Sequence, residues 1–142
     1  MRLGIDFGTA YTRMAALTAD GLVYSGSDWP GPIPGILAYC PAAGQICFGT
    51  EANRVDRNEA LVWPNFKLDL WQNPEMVTGN LDLEQIMTAY FAFLKHQIPP
   101  ESGEAIEAVT LSIPAYCSIN TRNRLYNALR QVFADAAISL LP

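Results

Sequence analysis

RLGIDFGTAYTRMAALTADGLVYSG, from Arg2 to Gly26, is the stretch whose reading decides the fold. RLGIDF is apolar with a single acid and reads as a strand. Gly8-Thr9-Ala10 reads as a turn, and Tyr11 to Leu17 resumes strand-like residues. Asp20-Gly21 is then a hairpin signal ahead of LVYSG, so three antiparallel strands are expected in succession. The sharpest feature within them is GIDFGTAYT, Gly4 to Thr12. It sets a carboxylate, Asp6, at the end of the first strand and leads it into a tight hairpin. The backbone N–H groups of Thr9, Ala10 and Tyr11 can converge there on a phosphate, and Gly8 permits positive φ and close approach of a ligand. Asp6 beside such a loop can hold Mg2+ through water. Read alone, the same residues are also a strand and β-turn with Asp6 as a turn acceptor.

Downstream, SDWPGPIPG at residues 27–35 holds three prolines and is expected to be a rigid, exposed connection. GILAYC and QICFG form a second hairpin about Ala43-Gly44, a centring that sets Cys40 opposite Cys47. Residues 50–59 are polar with a short helical pattern, and VWPNFKLDLW, 62–71, reads as extended or irregular. Asp82 opens a helix with Gln85 in capping-box spacing, and Leu83, Ile86, Met87, Tyr90 and Leu94 keep its apolar period. Pro99 and Pro100 forbid its continuation. AVTLSI, 108–113, reads as a buried strand ended by Pro114. Ser118 or Asn120 caps a second helix with the face Leu125, Leu129, Val132, Phe133 and Ala136, and the stretch from Ile138 to Leu141 reads as one more short buried strand.

The order is three antiparallel strands, an insertion, helix, strand, helix, strand. This is an α/β arrangement of the ribonuclease H-like βββαβα type: a mixed sheet with flanking helices, a small inserted subdomain at about 27–80, and the final helix missing. An apolar sheet face left uncovered in this way is expected to find a partner or aggregate, which points to self-association near Ile138 and Leu141.

Composition narrows the function. The 142 residues are 50% hydrophobic and 16% charged, which favours a packed core over disorder. Nine Lys plus Arg against fourteen Asp plus Glu give a net charge of −5, which argues against a broad nucleic-acid or anionic-membrane surface. Three cysteines, Cys40, Cys47 and Cys117, suggest reduced thiols. Asp6 interrupts any signal-peptide core, and no stretch approaches 18 apolar residues, so a cytoplasmic protein is expected.

Four segments in order resemble the N-terminal nucleotide-binding lobe of the 70-kDa heat-shock (DnaK-type) chaperones, within the actin-like ATPase superfamily. They are GIDFGTAYT, then IPGILAY with ICFGTEA, then NFKLDL around Lys67, and AVTLSIPAYCSINTRN at 108–123. The resemblance implies an N-terminal piece of a chaperone ATPase, using ATP or ADP with Mg2+, whose second lobe and substrate-binding domain lie beyond this chain. It makes Asp6 the Mg-associated aspartate, acting through water, and Gly8, Thr9, Ala10 and Tyr11 the first phosphate loop. Lys67 becomes the catalytic lysine that reaches the terminal phosphate, where catalysis is mostly positioning and charge neutralisation. Pro114 and Arg122 resemble the pair that relays nucleotide state. Unfolded clients and co-chaperones are the partners it implies.

Taken singly, Lys67 reads as a solvated lysine, Pro114 as a strand terminator and Arg122 as a solvated residue in a helix first turn. Ala10 departs from the family's usual second threonine, and Cys117 from a usual aromatic. With one lobe alone, the chain is expected to be inactive by itself. The alternative is a nucleotide-free interaction or structural module that retains half of an actin-like ATPase fold. A ribonuclease H-like nuclease is disfavoured, because two-metal hydrolysis needs several carboxylates and Ile113-Pro114-Ala115 supplies none.

Overall fold

The computed structural model describes residues 1–24, 29–72, 81–99 and 103–142. The main sheet is built on β1 (Arg2–Phe7), which pairs antiparallel with β2 (Tyr11–Leu17) on one side. On its other side β1 runs parallel to β8 (Ala108–Ser112), and β8 runs parallel to β9 (Ala137–Leu141). Short β3 (Val23–Tyr24) and β4 (Ile33–Pro34) both pair with β2, completing a mixed sheet in the order β3-β2-β1-β8-β9. The three antiparallel strands expected from the opening sequence are present. A turn at Gly21, with φ of 80°, joins β2 to β3.

Alternation decides the two faces of this sheet. Leu3, Ile5 and Phe7 of β1 are buried, as are Thr12, Met14 and Ala16 of β2 and Val109 and Leu111 of β8. Helix α3 (Leu83–His96) and helix α4 (Ile119–Val132) pack on each other, and their buried faces join these residues in one core. Arg2, Gly4, Asp6, Arg13 and Leu17 lie on the opposite, exposed face.

The capping box of α3 is made in both directions: Gln85 N donates to Asp82 Oδ1 at 2.8 Å and Asp82 N to Gln85 Oε1 at 2.9 Å. Its buried face is the expected one with Phe91 added. Ser118, not Asn120, caps α4 by accepting from Thr121 N at 3.1 Å. That helix ends at Val132, so Ala136 packs from the connection beyond it.

A second, three-stranded sheet lies between 37 and 63, in the order β6-β5-β7: β5 (Leu37–Cys40), β6 (Gln45–Phe48) and β7 (Leu61–Trp63). Short α1 (Gly49–Ala52) follows β6, and α2 (Phe66–Gln72) follows β7. The two sheets meet through aromatic rings. Tyr90 of α3 lies 5.0 Å from Phe48, 5.2 Å from Phe66 and 5.8 Å from Phe7 between ring centroids. Such pairs add about 0.5–1.5 kcal/mol each beyond their buried area, so this contact anchors α2 against the main sheet.

Four expectations are corrected. The connection at 27–35 is not simply exposed, since Trp29 and Ile33 are buried and Ile33 pairs with Thr12; residues 25–28, where that stretch begins, lie outside the described residues, as does Pro100. The second hairpin turns through residues 41–44, so Cys40 faces Gln45 and Cys47 faces Ala38. Cys40 and Cys47, like Cys117 elsewhere in the chain, are free thiols. VWPNFKLDLW is a strand followed by a helix, because Pro64 and Asn65 break one element and begin the next. Finally, β9 is a half-exposed edge strand rather than a buried one: Leu141 is 51% exposed, since only β8 flanks it among the described strands. Among the described residues no helix is long and apolar enough to cross a membrane.

Candidate functional site

Phe7 pairs with Thr12 at the end of the β1–β2 ladder, which leaves residues 8–11 to make the hairpin. Gly8 is not at positive φ; among the described residues the glycines that are include Gly21, Gly44, Gly49 and Gly103. The demand for glycine at position 8 is one of space, because a Cβ there would lie 3.0 Å from the Tyr11 carbonyl oxygen. Ala10 O accepts from Gly35 N at 2.7 Å. A trans peptide directs its N–H opposite to its C=O, so the Tyr11 N–H is turned away from Gly35.

Gly35 is the meeting point of three segments. A Cβ there would lie 3.0 Å from Lys67 Cε, 3.0 Å from Thr9 O and 3.1 Å from Ala10 O. The Lys67 stem therefore runs along the carbonyl side of the hairpin. Lys67 enters from the first turn of α2 and is fully buried. Its Nζ donates to Thr12 Oγ1 at 2.9 Å and stands 4.7 Å from the centroid of the Phe7 ring. Tyr90 donates its hydroxyl to the same Thr12 oxygen at 2.7 Å. Burial pushes the Lys67 ammonium down from 10.5 to about 7, with the charge of Asp6 pulling the other way. Burial also holds the Tyr90 hydroxyl far above its ordinary range, against a smaller opposing effect of the Thr12 bond, so it remains protonated.

Asp6 lies on the opposite face of β1. Its carboxylate, 59% exposed, accepts from Ser112 Oγ at 3.0 Å and faces Arg13 Nη1 at 3.9 Å. A concavity of about 580 Å3 opens beside it, lined by Gly4, Asp6, Arg13, Pro30, Thr110 and Ser112 among others. The two charges thus flank the end of β1 from its two faces, Asp6 in the open and Lys67 enclosed behind the hairpin. Among the described residues no three His, Cys, Asp or Glu side chains form a metal cage. One exposed carboxylate suits Mg2+, which keeps several waters and shares phosphate oxygens. These residues fit a magnesium ion carried in with a polyphosphate and do not fit one held by protein alone.

Pro114 and Arg122 come together. Arg122 Nε donates to Cys117 O at 3.1 Å and Nη2 to Ala115 O at 3.4 Å, while Cys117 N closes on Pro114 O at 3.0 Å. Arg122 thus fastens the turn that Pro114 begins at the end of β8. The sequence reading missed Thr12, Tyr90, Gly35 and Ser112. Thr12 was signalled by its parity, as a hydroxyl at an inward position between Phe7 and Met14. Tyr90 was signalled by its place on an apolar helix face, where a buried phenol needs a partner.

No family model matches this sequence, and no curated protein matches it. Solved structures do share the fold. A non-polymerising mutant of MamK bound to AMPPNP aligns with a TM-score of 0.60 at 16% identity, over 98% of this chain and 40% of its own. MreB5 of Spiroplasma citri bound to ADP aligns with a TM-score of 0.61 at 12% identity, over 98% of this chain and 37% of its own. The same protein bound to AMPPNP gives 0.59 at 15%, over 99% and 38%. The chain shares its α/β fold with MamK and MreB5 and spans about two fifths of the length of these structures.

Proposed function

We propose that this chain forms one wall of a Mg–ATP site in a chaperone ATPase of the 70-kDa heat-shock type. In this reading the hairpin at Gly8, Thr9, Ala10 and Tyr11 receives phosphates, Asp6 holds the Mg2+ water shell, and Lys67 neutralises charge on the transferred phosphoryl group. The observation that carries it is Lys67: a fully buried lysine with a hydroxyl as partner, its stem packed against the back of the hairpin that Asp6 leads into. Burying an ammonium without a paired carboxylate is unfavourable, and groups so perturbed concentrate at functional sites. The chaperone assignment rests on the four sequence segments, and the nucleotide-bound state of MamK and MreB5 supports the choice of ligand. Pro114, which begins the turn after β8, and Arg122, which fastens that turn through Cys117 O and Ala115 O, are proposed to pass nucleotide state onward, with unfolded clients and co-chaperones as the partners. A single wall gives up the contacts that immobilise a ligand, so affinity is expected to be weak and turnover absent.

A second reading, as a nucleotide-free interaction module, is favoured by the edge strand β9 and its exposed Leu141. Paramagnetic broadening separates the two. With Mn2+–ATP, signals of Asp6, Ser112 and residues 8–11 should broaden first, and Asp6→Asn should weaken the effect. Broadening that falls on other surfaces contradicts the nucleotide reading. Concentration-dependent self-association without any such broadening supports the module.

A further inference from the structure

Thr12 Oγ1 receives two donors, Lys67 Nζ at 2.9 Å and Tyr90 Oη at 2.7 Å. A hydroxyl oxygen has two lone pairs, so both are engaged and the Thr12 proton must point in a third direction. All three side chains are fully buried, which leaves water no access to replace either bond. Tyr90 is itself fixed by the rings of Phe48, Phe66 and Phe7, so its hydroxyl cannot follow a wandering threonine. The order of constraint therefore runs from the aromatic core through Tyr90 to Thr12 and from Thr12 to the lysine.

We propose that Tyr90 is a positioning residue for Lys67: by occupying one lone pair of Thr12 it aims the other at Nζ and holds the lysine behind the phosphate hairpin. This rests on the nucleotide reading for its purpose, in which Lys67 is the residue that neutralises phosphate charge. Without the phenol, one lone pair of Thr12 is left unclaimed and its hydroxyl hydrogen is free to rotate about the Cβ–Oγ bond, so the oxygen no longer presents one fixed acceptor to Nζ. Burial holds Tyr90 protonated across the working pH range, so the device keeps its donor throughout.

The test uses the 142-residue chain without nucleotide. In the wild type the two Lys67 Cε protons are expected to be inequivalent in NMR, as in a rigidly held side chain. Tyr90→Phe, which removes one oxygen from the core, should collapse that inequivalence while the fold remains. Thr12→Val should lower the Lys67 titration midpoint by about one pH unit or more, tenfold in its protonation equilibrium, because the ammonium loses its acceptor. Thr12→Ser should restore both signatures. A purely structural role for Tyr90 would lower the melting temperature and leave the lysine signals as they are. Unchanged Lys67 Cε signals in folded Tyr90→Phe overturn the proposal. Failure of Mg–ATP to move any Lys67 signal in the wild type would instead overturn the nucleotide reading, and the ligand-free comparison decides the role of Tyr90 in either case.

Discussion

Lys67→Met raises the stability of this chain, and raises it most in acid. The ammonium is fully buried and bonded to a neutral hydroxyl, and its pKa is lowered from 10.5 to about 7. At 1.36 kcal/mol per pH unit that fall corresponds to about 5 kcal/mol of penalty on the charged form. The sign follows from proton binding. Between about pH 7 and 10.5 the unfolded lysine holds a proton that the folded one has shed, so wild-type stability from this group rises with pH across that window. Below pH 7 both states are protonated and the full penalty applies. Methionine fills a similar volume without charge, and exchanges of buried ionic groups for apolar ones are often neutral or stabilising by about 1–4 kcal/mol. Urea melts of both proteins should therefore show an advantage for Lys67→Met at pH 6 that shrinks by about 2–3 kcal/mol at pH 9. Equal stability at pH 6, or an advantage independent of pH, would mean that Lys67 is solvated. Hydrolysis in any catalytically competent assembly should fall in the same variant, which separates what the lysine does for function from what it does for the fold.

Gly35→Ala should be strongly destabilising for a single added methyl. The added Cβ meets two backbone carbonyl oxygens at 3.0 and 3.1 Å as well as the Lys67 stem at 3.0 Å. A flexible stem can give way, but carbonyls in a hairpin can do so only by moving the hairpin. Overpacking of this kind costs about 1–3 kcal/mol, and here it also strains the 2.7 Å bond from Gly35 N to Ala10 O. Gly31→Ala is the internal control: a Cβ there meets nothing within 4 Å, so stability should stay within about 0.5 kcal/mol of wild type. Thermal melts that rank the two variants equally would remove Gly35 from its place between hairpin and lysine.

The sheet was legible because alternation and turn chemistry are local. Leu3, Ile5 and Phe7 announce one face of β1, and Asp20-Gly21 announces the turn into β3. The helices were legible for the same reason, down to the reciprocal bonds of Asp82 and Gln85. What failed was set by distant partners. Trp29 looks like loop among prolines and is buried because Tyr24 and the core receive it. The Cys40–Cys47 pairing failed because the hairpin uses four turn residues, a register that the sequence about Ala43-Gly44 does not distinguish from two. At the candidate site, Asp6 and the hairpin were visible as a motif, whereas the burial of Lys67 was not. Its environment comes from Thr12, 55 positions earlier, and from Phe7 and Tyr90 on two further elements.

The most direct measurement of the central claim is an amide NMR titration of the chain with Mg–ATP, with Mg–AMP as the comparison. The hairpin account predicts that the largest shifts fall on the four residues 8–11, with smaller ones at Asp6, Ser112 and Lys67. It also predicts that AMP, which lacks the outer phosphates, produces little of this pattern at the same concentration. Shifts confined to other surfaces, or ATP and AMP patterns that coincide, would contradict a phosphate site at this hairpin.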